Sequence, residues 1–231
     1  MERSALQWWK VGAGLRRARG WISLFLLATV VALGVRLWIV EGFRLSSSSM
    51  YPTLLEGDLF LISKFAYSAR LPFSSYELLT WRRPRRGEVV AFSLPDRGLD
   101  TFIKRVVALE GESVAIRDGK ISVNGITLEY RDPDTSAAPA PSPEGQEVWE
   151  EGAEGDRYSA WLPTKGMADF GPVDVPPGHF FALGDNRADS VDSRRWGPVP
   201  YSLLRGRVAF VGLSVAPGGG LRSGRWGIWM P

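Results

Sequence analysis

Four consecutive serines at residues 46–49 stand before a Met-Tyr-Pro turn, and a serine hydroxyl becomes a nucleophile when a nearby base takes its proton. A serine run is also typical of a flexible polar linker, so the presence of a base decides between the two interpretations. The chain has one histidine, His179, and an order of Ser49, His179 and Asp185 would suit a catalytic triad. His179 precedes two phenylalanines, however, in a pattern typical of a strand-edge side chain. The base must then be sought elsewhere.

Lysine can serve as that base only where its amine is neutral at pH 7. An ordinary pKa of about 10.4 makes neutralisation cost about 4.6 kcal/mol, and burial among apolar side chains removes that cost because it penalises the charged form. Lys104 lies in the segment FIKRVV, where strand alternation places Phe102 and Val106 on the same side as Lys104. Lys64, in LISKFAY, is a rival by the same reasoning. The residues alone favour Lys104 only slightly.

The segment that leads to the serines is apolar over residues 21–40, WISLFLLATVVALGVRLWIV. A helix of this length rises by about 30 Å, which matches the hydrocarbon core of a bilayer. Five Lys or Arg residues precede the segment and only Arg44 occurs in the twenty residues that follow it, so the positive-inside rule leaves the N-terminus in the cytoplasm. We predict a cytoplasmic segment over 1–20, a transmembrane helix over 21–40 and an exported domain over 41–231. A cleaved signal peptide, cut just before Ser49, is the alternative.

The exported domain is predicted to be mainly β, with antiparallel sheets and loops that carry the polar motifs. Short β-branched runs bounded by turn residues predict its strands, and two Asp-Gly or Asn-Gly pairs at 118–119 and 124–125 predict hairpins. Residues 130–160 are rich in Pro, Ala, Glu and Gly, which predicts a flexible, exposed insertion. The predicted strands are Gly57–Lys64, Gly87–Phe92, Phe102–Leu109, the segment HFFALGDN from His179, and Gly206–Val215.

Composition excludes several kinds of chemistry. Cysteine is absent, so a disulfide, a thiolate nucleophile and a Cys-ligated metal are excluded. The net charge of +3 is small, and it does not indicate a nucleic-acid partner. No cofactor or metal is expected. Two segments have the aromatic and basic residues that suit contact with a lipid bilayer. A loop such as Trp81–Arg86 is usually solvated, and a tail such as Arg225–Met230 could instead pack in the core.

Four motifs in order resemble those of bacterial type I signal peptidases, which are Ser/Lys endopeptidases with a β body of the LexA-like type. Together they run from Gly42 to about Val215, and this order is far more specific than any one motif. Thr101 and Ala188 depart from the pattern, since some relatives carry acidic residues there. The motifs are Ser49-Met50-Tyr51-Pro52-Thr53-Leu54, then Gly57-Asp58 with Lys64, then Phe102-Ile103-Lys104-Arg105-Val106-Val107, and then Gly184-Asp185-Asn186-Arg187 leading to Trp196-Gly197.

The resemblance implies a role for each matching residue. Ser49 is similar to the family's nucleophile, and Lys104 resembles its general base, which resolves the tie with Lys64. Ser47 resembles the hydroxyl that stabilises the oxyanion together with the Ser49 amide. The remaining matches are Ser190, which would orient the lysine; Asp192 and Arg194, which would form a supporting ion pair; and Leu45 and Ile103, which could line shallow substrate pockets.

The function implied by the resemblance is removal of signal peptides from secretory preproteins, after small residues at positions −3 and −1. The implied location is the bacterial cytoplasmic (inner) membrane, with a single anchor and the catalytic domain on the extracytoplasmic side. Two alternatives stay open. One is a self-cleaving Ser/Lys protein of the LexA kind. The other is an anchored β domain whose own site is inactive and which binds a partner protein.

Overall fold

A computed structural model describes residues 20–34, 36, 39–70, 77–94, 100–132, 144–153, 156–164 and 167–230. Residues 20–34 are helical, and the side chains of Trp21, Phe25 and Val30 are exposed. Within these ranges no helix combines the length and the apolarity needed to cross a bilayer. The predicted helix also extends too far, because Val40 already pairs with Ser63 in the first strand. Of the predicted cytoplasmic segment, all but Gly20 lies outside the described residues.

The body is mainly β, as predicted, and its sheets are antiparallel. An eight-stranded sheet dominates, and smaller sheets of four, three and two strands flank it. The strands are β1 Val40–Arg44, β2 Asp58–Ser63, β3 Ser68–Arg70, β4 Glu77–Thr80, β5 Val89–Ser93, β6 Thr101–Leu109, β7 Ser113–Arg117, β8 Lys120–Val123, β9 Ile126–Thr127, β10 Glu129–Arg131, β11 Gln146–Ala153, β12 Asp156–Pro163, β13 Phe170–Asp174, β14 His179–Leu183, β15 Val199–Pro200, β16 Leu204–Ser214 and β17 Ile228–Trp229. Short helical turns lie at Lys64–Ala66, Ser193–Trp196, Tyr201–Leu203 and Ser223–Arg225.

The large sheet has the order β1-β2-β16-β5-β6-β14-β15, and β17 pairs with β16 at its side. Strands β5 and β6 lie at its centre, and most of their residues are buried. Apolar side chains cover both faces of β5, which explains why VVAF is an apolar run without alternation, whereas β6 has Lys104 and Arg105 between its apolar residues. Four of the predicted strands are confirmed to within two residues, and the strand that begins at His179 ends at Leu183, where the turn residues Gly-Asp-Asn follow.

The predicted hairpin turns are confirmed as well. Asp118 and Asn124 both have positive φ, and so do the glycines that follow them. This conformation is the one that a two-residue turn with the twist of a hairpin requires. The turns join β7 to β8 and β8 to β9.

The prediction of a flexible, exposed insertion at 130–160 is wrong for the described part. Strands β10, β11 and β12 form a three-stranded sheet, and β11 pairs with β12 along their full length. Tyr158, Trp161 and Glu151 are buried in it. The composition misled the prediction because a buried glutamate looks like a solvated residue until its partner is known. Residues 133–143, which hold the proline-rich run, lie outside the described residues.

Candidate active site

Ser49 and Lys104 meet at the centre of the body, with Lys104 Nζ 2.6 Å from Ser49 Oγ as a hydrogen-bond donor. Both residues are buried, at 8% and 3% exposure. Lys104 lies on β6 opposite Val90 of β5, and on its other side β14 ends opposite the next residue, Arg105. Lys104 therefore lies just beyond the end of one neighbouring strand, and its amine reaches the Ser49 hydroxyl there.

Burial has a large effect on the lysine. It lowers the pKa of Lys104 to about 8, and the positive charge of Arg194 acts in the same direction. The carboxylates of Asp192 and Asp185 oppose this shift but do not cancel it. A substantial fraction of the amine is thus neutral near pH 8, which a general base requires.

The rival bases are placed elsewhere. Lys64 is partly exposed and pairs with Glu41, with 3.1 Å between Nζ and Oε2. His179 begins β14, and its Nδ1 lies 2.8 Å from the Pro177 carbonyl oxygen. Asp185 follows the far end of β14, where its carboxylate accepts hydrogen bonds from Arg105. The alternative triad of Ser49, His179 and Asp185 is therefore not assembled.

Backbone contacts hold the serine loop. Asn186 N donates to the Ser49 carbonyl oxygen at 3.1 Å, and Asn186 Nδ2 donates to the Ser48 carbonyl oxygen at 3.3 Å. Met50, the next residue, is fully buried. Ser49 is thus fixed between a buried methionine and the loop that follows β14.

Ser47 lies where the resemblance places the oxyanion donor. Its Oγ accepts a hydrogen bond from Ser49 N at 3.2 Å. The two predicted donors are therefore adjacent, and the hydroxyl proton of Ser47 is not used in that bond.

Ser190 packs against Gly184, at the start of the loop after β14. A methyl group at Gly184 would collide with Ser190 Oγ and with the Ser49 carbonyl oxygen, so only glycine allows this close approach. Ser190 Oγ is buried near the Asp192 carboxylate but makes no hydrogen bond of good geometry within the described chain. Its hydroxyl is therefore a buried polar group whose bonding capacity is unused, which is uncommon outside functional sites.

Asp192 and Arg194 form the ion pair that the sequence predicted. Arg194 Nε and Nη2 donate to the two carboxylate oxygens of Asp192, each at 2.8 Å, and Gly184 N donates to Asp192 Oδ2 at 3.0 Å. Burial alone would raise the pKa of Asp192, but these donors hold it below its usual value. The carboxylate is therefore ionised and ties the short helix Ser193–Trp196 to Gly184.

A second ion pair, between Arg105 and Asp185, is completely buried. Arg105 Nε and Nη2 reach the Asp185 oxygens at 2.8 and 2.7 Å, and Thr53 Oγ1 donates to Asp185 Oδ2 at 2.5 Å. The pair joins β6 and the loop after β14 directly beside the lysine. Sequence reasoning missed it, although both residues occur in the motifs.

Leu45 and Ile103 are 7% and 6% exposed. They pack in one apolar cluster with Met50, beneath the serine loop. Because Met50 directly follows Ser49, this cluster adjoins the serine loop from the core side. Their expected contact with substrate stays a prediction.

The described residues contain no group of three or more His, Asp or Glu side chains arranged to hold a metal ion. A buried lysine amine against a serine hydroxyl, on an antiparallel β body, is the arrangement expected of a serine hydrolase in which lysine takes the place of histidine.

The chain belongs to the signal peptidase family, peptidase S26, whose family model matches residues 18–213. It is 34% identical over 209 residues to a probable signal peptidase I-2 from Synechocystis sp., which covers 87% of this chain and 77% of that relative. It is 37% identical over 183 residues to signal peptidase I from Pseudomonas fluorescens, with 75% of this chain and 62% of the relative covered. The resemblance seen in the motifs is thereby confirmed, and the chain is a serine endopeptidase of this family.

Among solved structures, a signal peptidase I from Enterococcus faecalis V583 is similar at 27% identity and a TM-score of 0.36. The match covers 56% of this chain and 99% of that chain.

Proposed function

We propose that this chain removes signal peptides from exported preproteins with a Ser49/Lys104 dyad. The observation that carries the proposal is the 2.6 Å contact between Lys104 Nζ and Ser49 Oγ in a buried setting. In its neutral form Lys104 accepts the serine proton while Ser49 Oγ attacks the scissile carbonyl. Protonated Lys104 then gives the proton to the leaving amine, and an acyl-enzyme with the signal peptide remains.

Hydrolysis of the acyl-enzyme uses the same lysine, which takes a proton from the attacking water. In both steps the oxyanion accepts hydrogen bonds from the Ser49 amide and the Ser47 hydroxyl. For this, the Ser49 N–H turns from Ser47 Oγ to the substrate oxygen, and the Ser47 hydroxyl donates its free proton. Ser190, Asp192 and Arg194 act by holding Gly184 and the amine in place.

Substrate choice is proposed to follow the size of the side chains at −3 and −1. Leu45 and Ile103 pack in one apolar cluster with Met50, the residue after Ser49, and an apolar pocket at this place would accept alanine and exclude larger groups. Their buried positions support shallow rather than deep pockets.

Membrane anchoring by the N-terminal segment is the other part of the proposal. The segment 21–40 is apolar, and Trp21, Phe25 and Val30 are exposed along the described helix. Charge on the N-terminal side places residues 1–20 in the cytoplasm and the body on the extracytoplasmic side of the bacterial inner membrane. The site then faces preproteins as they leave the bilayer.

The test is cleavage of a peptide with an Ala-x-Ala site by the detergent-solubilised full chain. We expect Ser49→Ala and Lys104→Met to abolish cleavage, whereas Lys64→Met, the matched lysine control, keeps it. Equal cleavage by Lys104→Met and the unmodified chain would contradict the dyad. Cleavage of the enzyme's own chain without cleavage of the peptide would instead support the self-cleaving alternative.

A further inference from the structure

A cavity of about 630 Å³ lies beside the active site but is lined by neither Ser49 nor Lys104. One wall is the turn after the nucleophile, at Pro52 and Thr53. The other walls are residues 157–159 of β12 and the C-terminal segment from Arg222 to Met230. The cavity is large enough for one polar headgroup and part of a chain attached to it.

Four arginines line this cavity, and three of them face a carboxylate. Their shortest nitrogen–oxygen distances are close, at 2.6 to 2.7 Å. These pairs are Arg105 with Asp185, Arg225 with Asp58, and Arg157 with Glu129.

Arg222 differs from the other three arginines. Its Nη1 donates to the Glu56 carbonyl oxygen at 2.9 Å and to Ser214 Oγ at 3.1 Å, which are both uncharged acceptors. No carboxylate of the described chain lies within ion-pair distance of it. In addition, Arg157 Nε is buried without a partner in the described chain. The cavity thus has one excess positive charge and an unused buried donor, which together suit a single anionic group with several oxygens.

Part of the cavity wall is apolar. Trp229, which is 75% exposed, lies there with Ile228 and Met230. Leu221 and Trp226, which adjoin the lining residues in the chain, are also exposed. A ligand whose anionic end bonds to the arginines would therefore place an apolar portion against exposed tryptophan, which is the ring that favours the membrane interface.

We infer that this cavity binds the phosphate of one anionic glycerophospholipid, with the first part of its acyl chains against Trp229. Phosphate matches the planar donor array of arginine, and a phosphodiester joined to acyl chains supplies both the anion and the apolar part. The loop Trp81–Arg86 fits this role less well, because Arg82 and Arg86 already pair with Glu88 and Glu112. The inference is separate from the dyad and holds whether or not Ser49 is the nucleophile.

The test is binding of dihexanoyl phosphatidylglycerol, below its micelle concentration, to the detergent-solubilised full chain by calorimetry. We expect one saturable site. Dihexanoyl phosphatidylcholine, whose choline cation meets the arginines, should bind at least tenfold more weakly. Inorganic phosphate, which lacks the apolar part, should bind more weakly still. Equal affinity for inorganic phosphate would overturn the lipid and identify a free-anion site.

Substitutions in the protein test separately the contacts of the anionic part and of the apolar part of the ligand. Arg222→Gln should weaken phosphatidylglycerol binding by about 10- to 100-fold, the value of one charged hydrogen-bonded contact. Arg117→Gln changes the charge equally on another sheet and should have no effect. Trp229→Ala, at an exposed position that does not threaten folding, should weaken binding by about tenfold. Ser49→Ala should bind as the unmodified chain does. Unchanged affinity in both Arg222→Gln and Trp229→Ala, each with normal thermal unfolding, would overturn the inference.

Discussion

Arg187 and Glu151 form a completely buried, two-bond ion pair that ties the β11–β12 hairpin to the loop after β14. Arg187 Nη1 and Nη2 donate to the Glu151 oxygens at 2.5 and 2.7 Å, and Arg187 Nε donates to the Gly184 carbonyl oxygen at 3.0 Å. Tyr158 and Tyr130 donate to the same carboxylate. Burial alone would raise the pKa of Glu151, but Arg187 holds it below its usual value. The hairpin is therefore part of the active-site framework.

Glu151→Gln should destabilise the protein by about 3 to 5 kcal/mol, since it leaves a buried guanidinium without its counter-charge. Because Arg187 also holds Gly184, the rate of peptide cleavage should fall as well. Urea unfolding and the cleavage assay measure the two effects. Glu147→Gln, at an exposed position on the same strand, is the control and should change stability by about 0.5 kcal/mol or less. Equal stability of both variants would show that the pair contributes little.

The cleavage rate should depend on pH through Lys104. With a pKa of about 8, roughly one amine in ten is neutral at pH 7, so kcat/KM should rise about tenfold per pH unit and level off above pH 8. Arg194→Gln should move the midpoint to higher pH, because Arg194 lowers the lysine pKa and Asp192 would remain to raise it. A rate that is constant between pH 6 and 9 is not compatible with lysine as the base.

The same lysine should lower the stability of the fold at neutral pH. Its folded pKa of about 8 lies below the unfolded value of 10.5, so the unfolded chain binds more protons between these values and stability rises with pH across that window. Lys104→Met should therefore gain about 3 kcal/mol at pH 7, and the gain should shrink to about 1 kcal/mol by pH 9.5. Urea unfolding at the two pH values checks this. If Lys104→Met were less stable than the unmodified chain at pH 7, burial of the charged amine would not be destabilising.

Ser47→Ala should reduce kcat by about 10² to 10³ and leave KM nearly unchanged, because the hydroxyl bonds the oxyanion only as charge develops. Ser46→Ala is the matched control, since Ser46 is exposed on the same loop. Single-turnover kinetics with the Ala-x-Ala peptide separate the two constants. A change confined to KM would assign Ser47 to substrate binding instead.

Much of this architecture could be predicted from local pattern. The run FIKRVVAL predicted β6 correctly because β-branched residues filled both faces, and the Asp-Gly and Asn-Gly pairs predicted their turns because only a few residue types accept positive φ. Lys104 and Lys64 were harder to separate from local pattern. Their difference comes from the end of β14 and from Glu41, which are both distant in the chain.

The hairpin of β11 and β12 could not be predicted for the same reason. Glu151 is 36 residues from Arg187, and without that partner a glutamate among Pro, Ala and Gly indicates a solvated segment. The ion pair of Arg105 and Asp185 was likewise not predicted. The two residues lie 80 positions apart in separate motifs, and nothing in either motif indicates that they pair. Long-range charge pairing leaves no periodic signal along the chain.

Placing Lys104 on a central strand has an effect on how the enzyme can fail. Its amine depends on β5, β6 and β14 together, and Asn186 ties the loop that carries Ser49 to the loop after β14, so we expect gentle denaturation to leave both groups in place while the sheet survives. Catalysis and global folding should vanish at one urea concentration, as a single cooperative transition. An enzyme whose reacting groups both stood on exposed loops, without such ties to the sheet, would lose activity earlier than structure.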